Sequence, residues 1–141
     1  MTINQISIFL ENKYGKLSEI LELLAGANIR IIATTVADTS EYGILRIIVS
    51  DTQKAFSILK EHNVSANLTE VLAIVTNSSA GSFAHTLACF TKAGISIEYM
   101  YCFSTTDKAI MVLRTNNQES AREVIRRQNF DYVTENDLAK V

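Results

Sequence analysis

Ile6, Ile8 and Leu10 alternate with Ser7 and Phe9 near the start of the chain, a period of two that predicts a strand. Leu17, Ile20, Leu21 and Leu24 then recur at i, i+3, i+4 and i+7, which is one apolar face of a helix. Gly26 is placed to end that helix. Residues 29–37 are rich in Ile, Thr and Val, a composition that suits a strand. Asp38 to Gly43 is turn chemistry, and Ile44 to Val49 is a second β run, so the pair predicts a hairpin. Ser50-Asp51-Thr52-Gln53 reads as a helix cap with Ser50 at its head, followed by helical Ala55, Ile58 and Leu59. A last short strand is expected near Ser65 to Leu68.

The order then repeats. A shift of 66 positions carries Gly15 onto Gly81 without gaps. The same shift pairs Ile8 with Ile74, Leu21 with Leu87, Ala27 with Ala93, Ile29 with Ile95 and Ile44 with Ile110. It also pairs Ala55 with Ala121 and Asn63 with Asn129. The second copy is expected to have a strand at 71–76, a helix at about 81–93 and a hairpin of 95–103 with 109–115. A capped helix with Asn116 and Glu119 at its start follows, and a last strand near 131–135. Residues 136–141 correspond to the start of a further strand. The expected domains are 1–68 and 69–141.

A βαββαβ order folds most simply as a four-stranded antiparallel sheet with both helices on one face. The expected class is therefore α+β, two ferredoxin-like modules. The strand after each first helix would lie at a sheet edge, and in both copies it is apolar. An apolar edge needs cover. The economical cover is the same edge of the other copy, joining the modules into one eight-stranded sheet.

Composition narrows the function classes. Of 141 residues 48% are hydrophobic and 20% charged, as in ordinary globular proteins. The net charge of −2 offers no basic excess for nucleic acid. Tyr99, Tyr101 and Phe103 alternate on a strand and Arg122, Arg126 and Arg127 cluster on a helix, yet no RNA-recognition motif accompanies them, so these aromatics are expected to be packed. The first residues lack a signal-peptide pattern, and no apolar run reaches the roughly 18 residues that span a bilayer. Cys89 and Cys102 form no framework, which predicts a cytoplasmic chain with reduced thiols.

Candidates for catalysis are sparse. Ser82, His85 and Cys89 share a helical face at i, i+3 and i+7, but no third group is placed to orient the histidine. His85 and Cys89 offer at most two metal ligands, where structural zinc takes four. Neither enzyme, metal nor cofactor is expected.

The loop between first strand and first helix remains. It reads Glu11-Asn12-Lys13-Tyr14-Gly15-Lys16-Leu17 in copy one and Asn77-Ser78-Ser79-Ala80-Gly81-Ser82-Phe83 in copy two. Glycine at a helix start allows close approach of a ligand, and the free N–H groups of the first turn suit a carboxylate. Neighbouring Asn and Ser can bond an ammonium. Chemistry alone leaves two readings open: an amino-acid site and a plain strand-to-helix turn.

At this loop the sequence resembles the ACT domain family, small regulatory modules of amino-acid metabolism. The loop Glu11–Leu17 and the segment Ala27-Asn28-Ile29 carry the likeness, which extends over nearly the whole chain and is similar to the serine-sensing domain of phosphoglycerate dehydrogenase. Tyr14 and Ala80 stand where the family has proline. The resemblance implies the ferredoxin-like fold, edge-to-edge pairing and an effector shared between modules. Carried over, one site would use Asn12, Tyr14, Gly15 and Lys16 with Gly94, Ile95 and Ser96. The other would use Asn77, Ser78, Gly81 and Ser82 with Asn28, Ile29 and Arg30; if copies of the same kind pair between two chains, Asn12 and Asn28 would share a site instead, and the sequence leaves both arrangements open. The expected function is an amino-acid-binding regulatory protein; the alternative is a regulatory subunit acting by protein contact, in the manner of acetolactate synthase small subunits. The expected partners are a free amino acid, a metabolic enzyme and further copies of the chain, with no nucleic acid and no membrane.

Overall fold

The computed structural model describes residues 1–11, 13–38, 41–104 and 108–140. The elements are β1 (Thr2–Glu11), α1 (Lys16–Gly26), β2 (Ile31–Asp38), β3 (Tyr42–Val49), α2 (Thr52–Glu61), β4 (Ala66–Asn77), α3 (Ser82–Lys92), β5 (Ile97–Ser104), β6 (Lys108–Thr115), α4 (Gln118–Gln128), β7 (Asp131–Tyr132) and α5 (Glu135–Leu138). The order is βαββαβ twice, as the periodicities predict. Thr39 and Ser40 of the expected first turn, Asn12 of the first loop and Val141 of the tail lie outside the described residues.

Two compact units divide the chain: Asn4–Thr69 with Asn136–Val141, and Glu70–Glu135 with Met1–Ile3. In the first, β3 lies between β2 and β1, both antiparallel to it. The start of β4 runs beside β1: the Phe9 N–H donates to the Ser65 carbonyl at 3.0 Å, and the Ser7 and Thr69 hydroxyls are 3.2 Å apart. The register Ile6↔Ile47 and Ile8↔Leu45 sets these four side chains on one face of the sheet, where α1 and α2 cover them. Ile20 and Leu24 of α1 and Ala55 and Leu59 of α2 complete that core. The apolar stripe of α1 is rotated from its expected position: Leu23 and Ala27 pack on the core, whereas Leu17 is exposed.

The second unit repeats the scheme. β6 lies between β5 and β4, and β7 pairs with the other side of β4, all antiparallel. Leu72, Ile74, Met111 and Leu113 of the sheet pack with Phe90 of α3 and Ala121, Val124 and Ile125 of α4. Tyr99, Tyr101 and Phe103 are half-buried, and Met100, between them in sequence, packs on this core.

Backbone detail follows the 66-residue shift. Among the described residues, the left-handed positions form three such pairs: Gly15 and Gly81 (φ 83° and 85°), Asn28 and Gly94 (60° and 74°), Asn63 and Asn129 (59° and 56°). Even the bulges correspond, between Ile31 and Ala33 in β2 and between Ile97 and Tyr99 in β5.

Four expectations are corrected. Gly26 is the last residue of α1 but does not terminate it; Asn28 takes the left-handed position that ends the turn. The helix caps are Asp51 and Asn117, whose side chains accept the Lys54 and Ser120 N–H groups at 3.1 and 3.0 Å, and not Ser50 and Asn116. The tail forms the short helix α5, with Leu138 buried, in place of a strand. Finally, the joined eight-stranded sheet is not found. β2 pairs only with β3 and β5 only with β6 among the described residues, and the strands number seven. The reason is that the two short strands expected at 65–68 and 71–76 are one continuous strand, β4, which serves as the last strand of one module and the first of the next.

Candidate functional site

Both strand-to-helix loops are built alike. Gly15 and Gly81 stand at the N-caps of α1 and α3 in the left-handed conformation that glycine alone adopts without strain. Neither helix start receives a side-chain cap. The Lys16 and Ser82 N–H groups donate to the Lys13 and Ser79 carbonyls; the next N–H groups of each first turn, at the positive end of the helix dipole, have no intrahelical acceptor. A Cβ built on either glycine meets no atom within 4 Å, so the space over each turn is open.

Each loop borders two shallow clefts within its own unit. In the first unit, one of about 220 Å³ is lined by Glu11, Lys16, Glu19, Ile20, His62 and Val64 among others. The corresponding cleft in the second unit, about 320 Å³, is lined by Asn77, Ser82, His85, Thr86 and Phe130, positions equivalent under the shift. On the hairpin side, Lys13, Leu17 and Gly43 line a cleft of about 150 Å³, and Ser79, Phe83 and Ala109 line its counterpart of about 340 Å³.

The chemistry of the two loops differs. The Lys13 ammonium sits 2.7 Å from a Glu11 carboxylate oxygen, and Lys16 lies 3.7 Å from Glu19. A hydrogen bond from Lys13, then its charge, holds the Glu11 carboxyl below its usual range, and Glu11 raises Lys13 in the same way. All four positions are polar and uncharged in the second loop or become histidine: Asn77, Ser79, Ser82 and His85. There the Asn77 side-chain oxygen accepts the Ser79 N–H at 3.0 Å and both the Ser79 and Ser82 hydroxyls.

The expected site residues fall as follows. Asn12 lies outside the described residues. Tyr14 is fully exposed, and Ser78 is exposed beside Gly81. Lys16 and Ser82 are the first residues of their helices. Asn28 and Gly94 hold the left-handed turn after each helix. Ile29 and Ile95 are buried in the two helix-side cores, so only their backbone is available to a ligand. Arg30 and Ser96 are exposed. Within one module the loop and the post-helix segment are not brought together: they flank opposite ends of an 11-residue helix, about 16 Å long.

Sequence reasoning missed the roles of Ser50 and Asn116. The Ser50 hydroxyl accepts the Arg30 N–H at 3.0 Å while the Ser50 N–H donates to the Arg30 carbonyl at 3.0 Å. Asn116 does the same for Ser96, at 3.0 and 3.1 Å. A polar residue recurring at both positions was the available signal. The Ser82 hydroxyl bonds Asn77, and the Cys89 thiol donates to the His85 carbonyl at 3.4 Å. Among the described residues no three His, Cys, Asp or Glu side chains gather as for a metal, and no helix is long and apolar enough to cross a membrane.

Two ferredoxin-like modules with glycine-opened loops at equivalent helix starts define a duplicated ACT-type α+β protein. The chain belongs to the ACT domain pair family, whose model matches residues 1–141. It is similar to protein BT0572 from Bacteroides thetaiotaomicron: 39% identity over 100% of this chain and 98% of that one, TM-score 0.95. It shares its fold with the regulatory subunit of aspartate kinase from Thermus thermophilus, at 12% identity over 89% and 91% of the two chains, TM-score 0.64. The same fold occurs in the crystal structure of aspartokinase alpha and beta subunits, at 16% identity over 92% and 96%, TM-score 0.57. No curated protein matches the sequence.

Proposed function

We propose that this ACT domain pair is a non-catalytic, cytoplasmic regulatory protein that binds a free amino acid. The observation that carries the reading is the paired glycine turn. Gly15 and Gly81 leave two helix starts without side-chain caps, with open space above each. A carboxylate suits that position, because backbone N–H groups and the helix dipole both favour an anion there. The proposed modules are residues 1–68 and 69–141. The proposed ligand-binding residues are Asn12, Tyr14, Gly15 and Lys16, Asn77, Ser78, Gly81 and Ser82, and the post-helix segments Asn28–Arg30 and Gly94–Ser96. The chemical difference between the loops supports two inequivalent sites.

Ligand binding to the folded state alone raises stability in proportion to the logarithm of ligand concentration over Kd. One of the twenty amino acids is therefore expected to raise the melting temperature at millimolar concentration. Gly15→Val or Gly81→Val, which places a branched side chain in the open space, is expected to abolish that rise. The absence of any rise across all twenty overturns the reading.

A second reading, contact with an enzyme of amino-acid metabolism, is favoured by β2 and β5, each of which pairs with a strand on one side only among the described residues. The fold likeness to aspartate kinase regulatory subunits supports the same class of partner. Capture of such an enzyme by the immobilised chain, unaffected by any amino acid, would favour this reading over the first.

A further inference from the structure

The segments that follow α1 and α3 have every backbone N–H occupied. Ala27 donates to Leu24, Asn28 to Ala25, and Ile29 to Leu24, at 3.0–3.2 Å. Ala93, Gly94 and Ile95 donate in the same pattern to Phe90, Thr91 and Phe90. The next N–H in each segment, of Arg30 and of Ser96, is taken by a side chain 20 residues further on: the Ser50 hydroxyl and the Asn116 amide oxygen, both at 3.0 Å. The return bonds from the Ser50 and Asn116 N–H groups hold the Arg30 and Ser96 carbonyls. A β-bulge begins immediately afterwards in both copies, at Ile31 and at Ile97. Bulges re-aim the chain next to functional sites. Two different side chains thus make the same two-bond clamp at equivalent positions, although neither caps its own helix.

We propose that Ser50 and Asn116 are positioning residues for the effector site: each clamps the start of an edge strand so that the segment before it offers a ligand carbonyl acceptors and no backbone donors. What the backbone of this segment can present to a ligand is the carbonyls of Asn28 and Ile29 and of Gly94 and Ile95, each oxygen having two lone pairs. Acceptors of this kind match an ammonium group. The inference rests on the amino-acid-binding reading, and the test separates the two.

The experiment compares wild type, the double variant Ser50→Ala/Asn116→Ala, and the exchanged variant Ser50→Asn/Asn116→Ser. Hydrogen exchange at the Arg30 and Ser96 amides is read without ligand. Affinity is read by calorimetry with the amino acid that shifts the wild-type melting temperature. The alanine pair is expected to speed exchange at both amides and weaken binding about tenfold, the loss of roughly one hydrogen bond. The exchanged variant, which keeps a polar acceptor at both positions, is expected to bind within about twofold of wild type. Faster exchange with wild-type affinity in the alanine pair overturns the positioning role and leaves the sensing reading intact. Unchanged exchange overturns the clamp itself. A wild type that binds none of the twenty amino acids overturns the sensing reading, and the positioning role with it.

Discussion

Asn63 and Asn129, 66 residues apart, hold almost the same left-handed backbone, with φ of 59° and 56°. Each follows a helix and each is succeeded by an apolar residue whose N–H reaches back into the last turn. Val64 donates to Leu59 at 2.9 Å, and Phe130 to Ile125 at 3.1 Å. The same turn closes α1 and α3 through Asn28 and Gly94. These are Schellman turns: the apolar residue after the turn lies against the apolar residue whose carbonyl it bonds. The chain therefore leaves each helix in a set direction, toward the next strand.

Left-handed backbone costs an ordinary L residue about 1–2 kcal/mol, which asparagine partly escapes and glycine avoids. Asn63→Ala and Asn129→Ala are each expected to destabilise the protein by about 1 kcal/mol, whereas the glycine variants stay within about 0.5 kcal/mol of wild type. Urea midpoints at constant slope check both. Equal losses for Ala and Gly would show that the side chain, and not the backbone, sets the preference.

Gly15 and Gly81 invite the opposite comparison. A Cβ at either meets nothing, so any cost of alanine is conformational alone. Gly15→Ala and Gly81→Ala are each expected to lose about 1–2 kcal/mol by denaturant unfolding while the fold is kept, as circular dichroism would report. A loss well above this would mean a steric clash that the open space over the turns excludes.

Lys13 and Glu11 form an exposed ion pair across the first loop. Folding favours the Glu11 carboxylate, so this contribution is present above the ordinary carboxyl range and lost as pH falls through the lowered value. Folding also favours the Lys13 ammonium, whose contribution is present below the ordinary lysine value and lost as pH rises through the raised one. Lys13→Met is expected to move the Glu11 titration upward, as followed by carboxyl NMR shifts. Salt should do the same in part, and the urea midpoint should stay unchanged because the pair is solvent-screened. A Glu11 midpoint indifferent to Lys13 would show that some other group holds it down.

Local pattern and tertiary contact divide the evidence for this fold. The alternation at Ile6, Ile8 and Leu10 and its echo at Leu72 and Ile74 were enough to place strands, because a strand must turn every second side chain inward. The helix caps were missed by one residue, since Ser50 and Asp51 are both good caps by type. What separates them is that the Ser50 hydroxyl already holds the Arg30 N–H, 20 residues away. The glycine loops were legible because a helix start needing a positive φ selects glycine twice. That every backbone N–H from Ala27 to Arg30 is taken was not, because it depends on where each one ends.

The amino-acid order alone determined that one βαββαβ plan is used twice, since apolar periodicity and turn residues obey a single shift of 66. Only the tertiary structure decided that β4 runs unbroken through Thr69 and Glu70. Glu70 interrupts the apolar pattern, yet its carbonyl accepts Arg114 at 2.7 Å and Gln118 at 3.2 Å, and its carboxylate pairs with Arg122. Those partners lie more than 40 residues away in sequence. A polar residue with such partners can sit within a strand, and no local window can see them.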